Sequence, residues 1–377
     1  MMHNGGWAIP GHRDATWGGN IQALRFLAAL WVAAFHLNLM FGTGLNVPWL
    51  TGIAQAGYAG VDLFFVISGY IMAKTTEHLP PTPRAATVFL ARRFLRIYSG
   101  WWPFFLMYLL YGIRVGEVGP EKQLLSSFLL LPTLLPYHLL PIAWTLSFEL
   151  LFYICTAFLL VWNRRRARPL LFAWATVVVA LNAVWLATGF YDPDNVSEVG
   201  VTQWFFFYPL ALEFVGGFLL HSYLSRRASA PCWPWLAAAA LFCVAIAAYQ
   251  RVGHFHMAGL AGFFHVSERT FLWGGFAICL VAAAVRLEDA GVRPLAWAER
   301  LGDASYSIYL GHMLLIQLFL RAVPAAAAAT APKTSMYVLI LAGVVLLLWM
   351  YHLWVERPIY MFAVKMLPPP ASRLPPE

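Results

Sequence analysis

The sequence has 377 residues, of which 61% are hydrophobic and only 11% charged, with a mean hydropathy of +0.66. That balance leaves far too little polar surface for a soluble domain and predicts an all-α, polytopic membrane bundle. The formal charge of +8 sits in short basic clusters between apolar runs, the pattern of loops held on the cytoplasmic side, so nucleic acid is excluded as a partner and membrane lipid is expected. The four cysteines, Cys155, Cys232, Cys243 and Cys279, have neither C-x-x-C nor Cys/His ligand spacing, which points to no metal.

Taken in chain order, residues 1–20 lack a basic start followed by a cleavable apolar core and read as a short cytoplasmic lead. Apolar runs able to cross about 30 Å of hydrocarbon fall near 21–41, 57–74, 99–115, 143–162, 170–189, 204–223, 234–250, 269–286, 304–323 and 335–355, giving about ten predicted spans. The segment 124–136 is too short and too broken by proline to be another; it is expected at the surface or as a re-entrant piece. With both termini inside, eighteen of the 25 Lys and Arg residues fall on the cytoplasmic side and six outside, with Arg25 inside the first span. Such a bias fits ten spans and cytoplasmic termini. One membrane domain over 21–357 is expected, followed by a cytoplasmic tail over 358–377. Outer features include acidic Asp192, Asp194 and Glu198, an Asn195-Val196-Ser197 triplet, and the low-complexity stretch 324–332.

An ionisable side chain inside a span costs several kcal/mol and marks function by default, with internal packing as the alternative. Here the set is Arg25, His36, Asp62, Glu149, Glu213 and His312. Arg25 and His36 lie eleven residues apart, which on an α-helix is about three turns plus roughly 20°, with a rise of about 16 Å. They share one face at two depths, Arg25 near the cytoplasmic end and His36 in the outer third. Asp62 and Glu149 fall near the depth of His36, where either carboxylate would orient the imidazole or balance its charge. Glu213 and His312 are second-tier candidates. Ser68, beside Gly69, either donates a hydrogen bond near the site or serves as one of the small residues that let helices approach closely, and the second reading is favoured.

The stretch "FLARRFLRIYSGWW" places Arg93 and Arg96 three apart, hence as neighbours on a helix. Positive-inside topology accounts for such residues; a phosphate clamp is the chemical alternative, since guanidinium groups match phosphate oxygens in bidentate fashion. No P-loop or Rossmann fingerprint is present, which argues against ATP and dinucleotides as ligands. Arginines at the cytoplasmic mouth, with a histidine and carboxylates further out, suit a long phosphorylated ligand whose reactive end reaches His36. A coenzyme A thioester fits that description.

Several motifs in order, "LRFLAALWVAAFH", "GVDLFFVISGY", "ARRFLRIYSGWW", "AWTLSFELLFY", "LGDASYSIYLGHMLL" and "VERPIY", resemble those of the membrane acyltransferase-3 family. These are inner-membrane O-acyltransferases that modify lipopolysaccharide, exopolysaccharide, Nod factors and some macrolides. The resemblance implies transfer of an acyl group, usually acetyl, from cytoplasmic acyl-CoA to a carbohydrate hydroxyl in a bacterial inner membrane. It implies Arg25 and His36 as the essential first-helix pair and Arg93 and Arg96 as donor-side residues. The sequence departs from the family's pattern at Glu149-Leu150, often two acidic or amide positions, and at Gly311, usually Trp. With no appended hydrolase-like domain expected, acceptor handling would fall to the membrane domain. His36 is then expected as general base on the acceptor hydroxyl, an acyl-histidine intermediate being the rival mechanism. A multi-span transporter exporting a lipid or glycoside is the alternative of a different class, because intramembrane charges also mark permeation paths.

Overall fold

A computed structural model describes residues 18–41, 48–133, 135–162, 167–188, 205–227, 230–252, 267–322 and 333–368. The expectations for most of the lead, Arg164 to Arg166, the acidic loop with its Asn195 triplet, the 324–332 connection and the last residues of the tail lie outside these. No strand occurs among the described residues. The α-helices in chain order are α1 (Gly19–Phe41), α2 (Pro48–Gln55), α3 (Gly60–Thr76), α4 (Pro83–Val115), α5 (Leu124–Leu129), α6 (Trp144–Trp162) and α7 (Ala167–Thr188). They continue with α8 (Ala211–Leu224), α9 (Trp233–Val252), α10 (Gly275–Asp289), α11 (Ala296–Asp303), α12 (Ser305–Ala322), α13 (Lys333–Tyr351) and α14 (Arg357–Lys365).

Each predicted span coincides with a helix. Among the described residues, seven are long and apolar enough to cross a membrane, and the chain is a multi-pass membrane protein. The count of about ten is not confirmed among the described residues, for physical reasons. Helix α8 has 14 residues, about 21 Å against a hydrocarbon core of about 30 Å. The apolar half of α4 belongs to a helix carrying five arginines, and α12 carries His312 and Arg321. Helicity follows from the solvent, since in lipid a backbone N–H or C=O has no partner outside its own segment. Large side chains left exposed, such as Leu110, Ile113, Leu241 and Leu339, form the apolar faces that lipid covers.

The chain folds as two compact units, Met1–Phe64 with Ala283–Ile359, and Phe65–Ala282 with Tyr360–Glu377. In the first, α1 is the central element and packs on α11, α12 and α13. Its packing face is made of small residues, with Ala28, Ala29 and Ala33 fully buried. Gly57 and Gly60 press against it so closely that a Cβ on either would collide with the carbonyl oxygen of Trp31 or of Ala28. The first N–H groups of α1, orphaned by helix geometry, donate to the Glu288 carboxylate, from Gly19 at 3.1 Å and Asn20 at 2.9 Å. That negative group also complements the helix dipole.

In the second unit, α4 packs on α6 and α7 on α8. Its core is aromatic, with Phe148 against Phe205 and Phe152 stacked on Phe214, both at 4.1 Å between centroids. Gly69 of α3 and Gly217 of α8 interlock, since a Cβ on Gly69 would strike the Phe214 carbonyl and one on Gly217 the Val66 carbonyl. Close approach is thus the role of the small pair beside Ser68. Helix α4 runs unbroken from Pro83, where the sequence reading placed a cytoplasmic loop before residue 99. Thr82 caps it by accepting from the Ala85 N–H at 3.2 Å, with Pro83 at its first position, an N-terminal signal legible in Thr82-Pro83.

The segment expected at the surface is a short helix, α5, ended by Leu130 in the left-handed region. It is tied down by Trp101 donating to the Ser127 carbonyl at 3.1 Å and by the Leu139 N–H donating to Ser127 Oγ at 2.9 Å. His138 is fully buried there, and burial, with the nearby Lys122 second, pushes its pKa from 6.5 down to about 4.

Candidate active site

The first unit holds Arg25, His36, Asp62 and His312. Arg25 and His36 are on the one continuous helix α1, both half-buried, so the spacing of about 16 Å along the axis stands. Arg25 donates to Gln22 Oε1 at 2.9 Å, and Gln22 in turn donates to the Asp303 carboxylate at 2.7 Å. Gln22 is itself buried, and the polar chain Arg25–Gln22–Asp303 fixes the guanidinium side of α1 against α11.

His36 Nδ1 lies 3.0 Å from the Val32 carbonyl oxygen one turn back and 3.0 Å from His312 Nε2. The ring of Phe35 meets it edge-on at 5.1 Å, and the two imidazole centroids are 4.9 Å apart. His312 is fully buried, its Nδ1 at 2.7 Å from the Tyr309 carbonyl and 3.2 Å from that of Ile308. A second-tier candidate in the sequence thus sits directly on the first-tier histidine, although 276 residues separate them. Asp62 is fully buried near the start of α3.

The second unit holds Arg93, Arg96, Glu149, Ser68 and Glu213. Arg93 donates to Thr75 Oγ1 at 3.2 Å, and its guanidinium carbon lies 5.5 Å from the ring centroids of both Phe89 and Tyr153. Tyr153 donates its hydroxyl proton to Glu149. One aromatic ring therefore joins Arg93 to Glu149, with its face toward the guanidinium and its O–H toward the carboxylate. Tyr153 was not singled out from the sequence, where it is the last residue of "FELLFY"; its spacing of four from Glu149 was the available signal. Arg96 follows one turn on from Arg93, half-buried. Ser68 is half-buried on α3, and Glu213 is buried in the first turn of α8, where a Cβ on Gly274 would meet its Cγ at 3.0 Å.

The sequence also gave no sign of a cavity of about 230 Å³ in the second unit, lined by Thr76, Glu77, Thr156, Arg168, His221 and Ser222 among others. His221 Nε2 lies 3.1 Å from Glu77 there. A further buried polar cluster joins Ser307, whose hydroxyl donates to Glu356, and His352, whose Nδ1 is 3.0 Å from the same carboxylate. Among the described residues no group of three or more His, Cys, Asp or Glu side chains is placed to hold a metal ion.

Comparison with known proteins places these residues in context. A family model described as an acyltransferase domain matches residues 19–354. The exopolysaccharide production protein ExoZ of Rhizobium meliloti (strain 1021) is 31% identical over 310 residues, which cover 80% of this chain and 89% of that protein. The acyltransferase MdmB of Streptomyces mycarofaciens is 26% identical over 325 residues, 79% of each. No solved structure gives a significant match. With the family model spanning nearly all the helices described above, the chain is an acyltransferase and belongs to the acyltransferase-3 family.

Proposed function

We propose that this acyltransferase moves an acyl group, acetyl in the first instance, from acyl-CoA to a hydroxyl of a cell-surface or lipid-linked carbohydrate, with His36 as general base. It would act in a bacterial inner membrane with both termini in the cytoplasm. The observation that carries the reading is the setting of His36: a half-buried imidazole on a membrane helix, held on one nitrogen by Val32 and His312. The name of one relative, an exopolysaccharide production protein, supports a carbohydrate acceptor, and that of the other, an acyltransferase, supports acyl transfer.

In the proposed step, the acceptor hydroxyl gives its proton to His36 as its oxygen bonds the thioester carbon. The carbon–sulfur bond breaks, and the imidazolium returns the proton to the leaving thiolate. A positioned base of this kind contributes about 10²- to 10⁴-fold. Buried Asp62 would balance the imidazolium charge. Arg25, Arg93 and Arg96 carry the guanidinium groups that suit the donor's phosphates, and Glu149, through Tyr153, would hold Arg93 in place.

The test is to reconstitute the protein in vesicles with acetyl-CoA labelled in the acetyl group and surface carbohydrate from a strain lacking the gene. Label should move to an alkali-labile ester on the carbohydrate. Label remaining in the thioester, with carbohydrate merely carried across the bilayer, would instead favour a transporter.

A further inference from the structure

The half-buried His36 and the fully buried His312 allow the proton on each ring nitrogen to be placed by elimination. His312 Nδ1 faces the carbonyl oxygens of Tyr309 at 2.7 Å and Ile308 at 3.2 Å. Carbonyl oxygens only accept, so this nitrogen carries the hydrogen. A neutral imidazole has a single N–H, which leaves His312 Nε2 with a lone pair. His36 Nδ1 lies 3.0 Å from that lone pair and 3.0 Å from the Val32 carbonyl oxygen. It therefore faces two acceptors and must donate. The opposite assignment would set a bare nitrogen against a carbonyl oxygen, two acceptors with no hydrogen between them.

We infer that His312 is the positioning residue that holds His36 as its Nδ1–H tautomer and presents His36 Nε2 as the bare, basic nitrogen. This rests on His36 being the base and assigns its partner, in the place that a carboxylate takes in other base–orienter pairs. When Nε2 takes the acceptor's proton, the resulting imidazolium keeps its Nδ1–H on the neutral ring of His312, whose own hydrogen stays on the Tyr309 carbonyl. No proton leaves the pair by the buried side. Full burial of His312 keeps water from replacing it as the acceptor. Val32 and Tyr309 contribute only backbone carbonyls, so the geometry depends on α1 and α12 meeting at this level.

The test is the nitrogen-15 spectrum of ¹⁵N-histidine-labelled protein in bilayers, with the His36 signals assigned by their loss in His36→Gln. In the wild type, His36 Nδ1 should appear as a protonated nitrogen and Nε2 as an unprotonated one. In His312→Ala the two forms should mix, and kcat should fall roughly 10- to 100-fold, less than the loss seen when a triad carboxylate is replaced because Val32 remains, with KM for acyl-CoA unchanged. His312→Gln, whose side-chain oxygen stands in for Nε2 as acceptor, should restore both the Nδ1–H signature and most of the rate. A wild-type His36 protonated on Nε2 overturns the assignment, as does a His312→Gln protein that inserts normally yet performs no better than His312→Ala. Retained activity in His36→Ala would instead remove the general-base reading, and the spectrum would still decide the tautomer.

Discussion

Two glycines eight positions apart should respond to the same substitution with opposite sign. Gly60, at the start of α3, packs on α1: a Cβ there would collide with the Ala28 carbonyl oxygen and lie 2.8 Å from Val32 Cγ2. Both are buried and neither is a free-swinging end, so α1 must shift to make room, and overpacking of this kind costs about 1–3 kcal/mol. Replacing a helical glycine by alanine gains up to about 1 kcal/mol in return, so Gly60→Ala should lose about 1 kcal/mol net. Gly52, inside α2, has nothing within 4 Å of its Cβ position, and Gly52→Ala should gain the full propensity of about 1 kcal/mol. The pair should differ by about 2 kcal/mol when unfolding is titrated in mixed micelles. Activity separates them further, because Val32 also supplies the carbonyl that holds His36 at 3.0 Å. A displacement of α1 approaching 1 Å there should cost up to about 100-fold in transfer rate, while Gly52→Ala leaves it unchanged. Equal stabilities and equal rates for the two variants would refute the packing of α3's entry on α1.

The connection between α4 and α6 should loosen in acid through His138. Burial holds its folded pKa at about 4 against 6.5 when exposed, so between these values the opened form binds more protons and stability rises with pH. The contribution is complete above pH 6.5 and is lost as the pH falls toward 4, by about 3 kcal/mol in all; hydrogen exchange of the 123–139 amides, corrected for intrinsic rates, should quicken over that window in the wild type and not in His138→Phe. Arg93→Lys should raise KM for acyl-CoA about tenfold, because an ammonium replaces the planar guanidinium that lies near the Phe89 and Tyr153 rings; an unchanged KM would take Arg93 out of donor binding. Tyr153→Phe keeps that ring and removes only the hydrogen bond to Glu149, so it should have the smaller effect of the two, within about fivefold in KM.

Much of the helical framework was legible, because apolar runs of membrane length leave the backbone no alternative to helix. Placing Arg25 and His36 on one stripe needed only the helical repeat. Boundaries set by charge were less legible: the arginines of α4 resemble a loop, yet the helix starts at the Thr82 cap and passes through them. What stayed hidden was every relation between distant segments. His312 was a second-tier candidate in the sequence, and only the packing of α12 on α1 makes it the partner of His36. The clamp of Arg93 and Glu149 on Tyr153 likewise needs α4 and α6 side by side. The Ser307–Glu356–His352 cluster joins a helix start to a π turn (His352–Glu356) that no local pattern announces. Gly69 and Gly217 were legible as small residues but not as each other's neighbours.

In the proposed reaction His36 takes the acceptor's proton. Its most direct test is the rate of acyl transfer from labelled acyl-CoA by purified His36→Ala and His36→Gln at matched abundance, with insertion and unfolding midpoint equal to the wild type. A fall in kcat of about 10²- to 10⁴-fold is expected in both, with acyl-CoA binding retained. A rate within a factor of two or three of the wild type in either variant would contradict it.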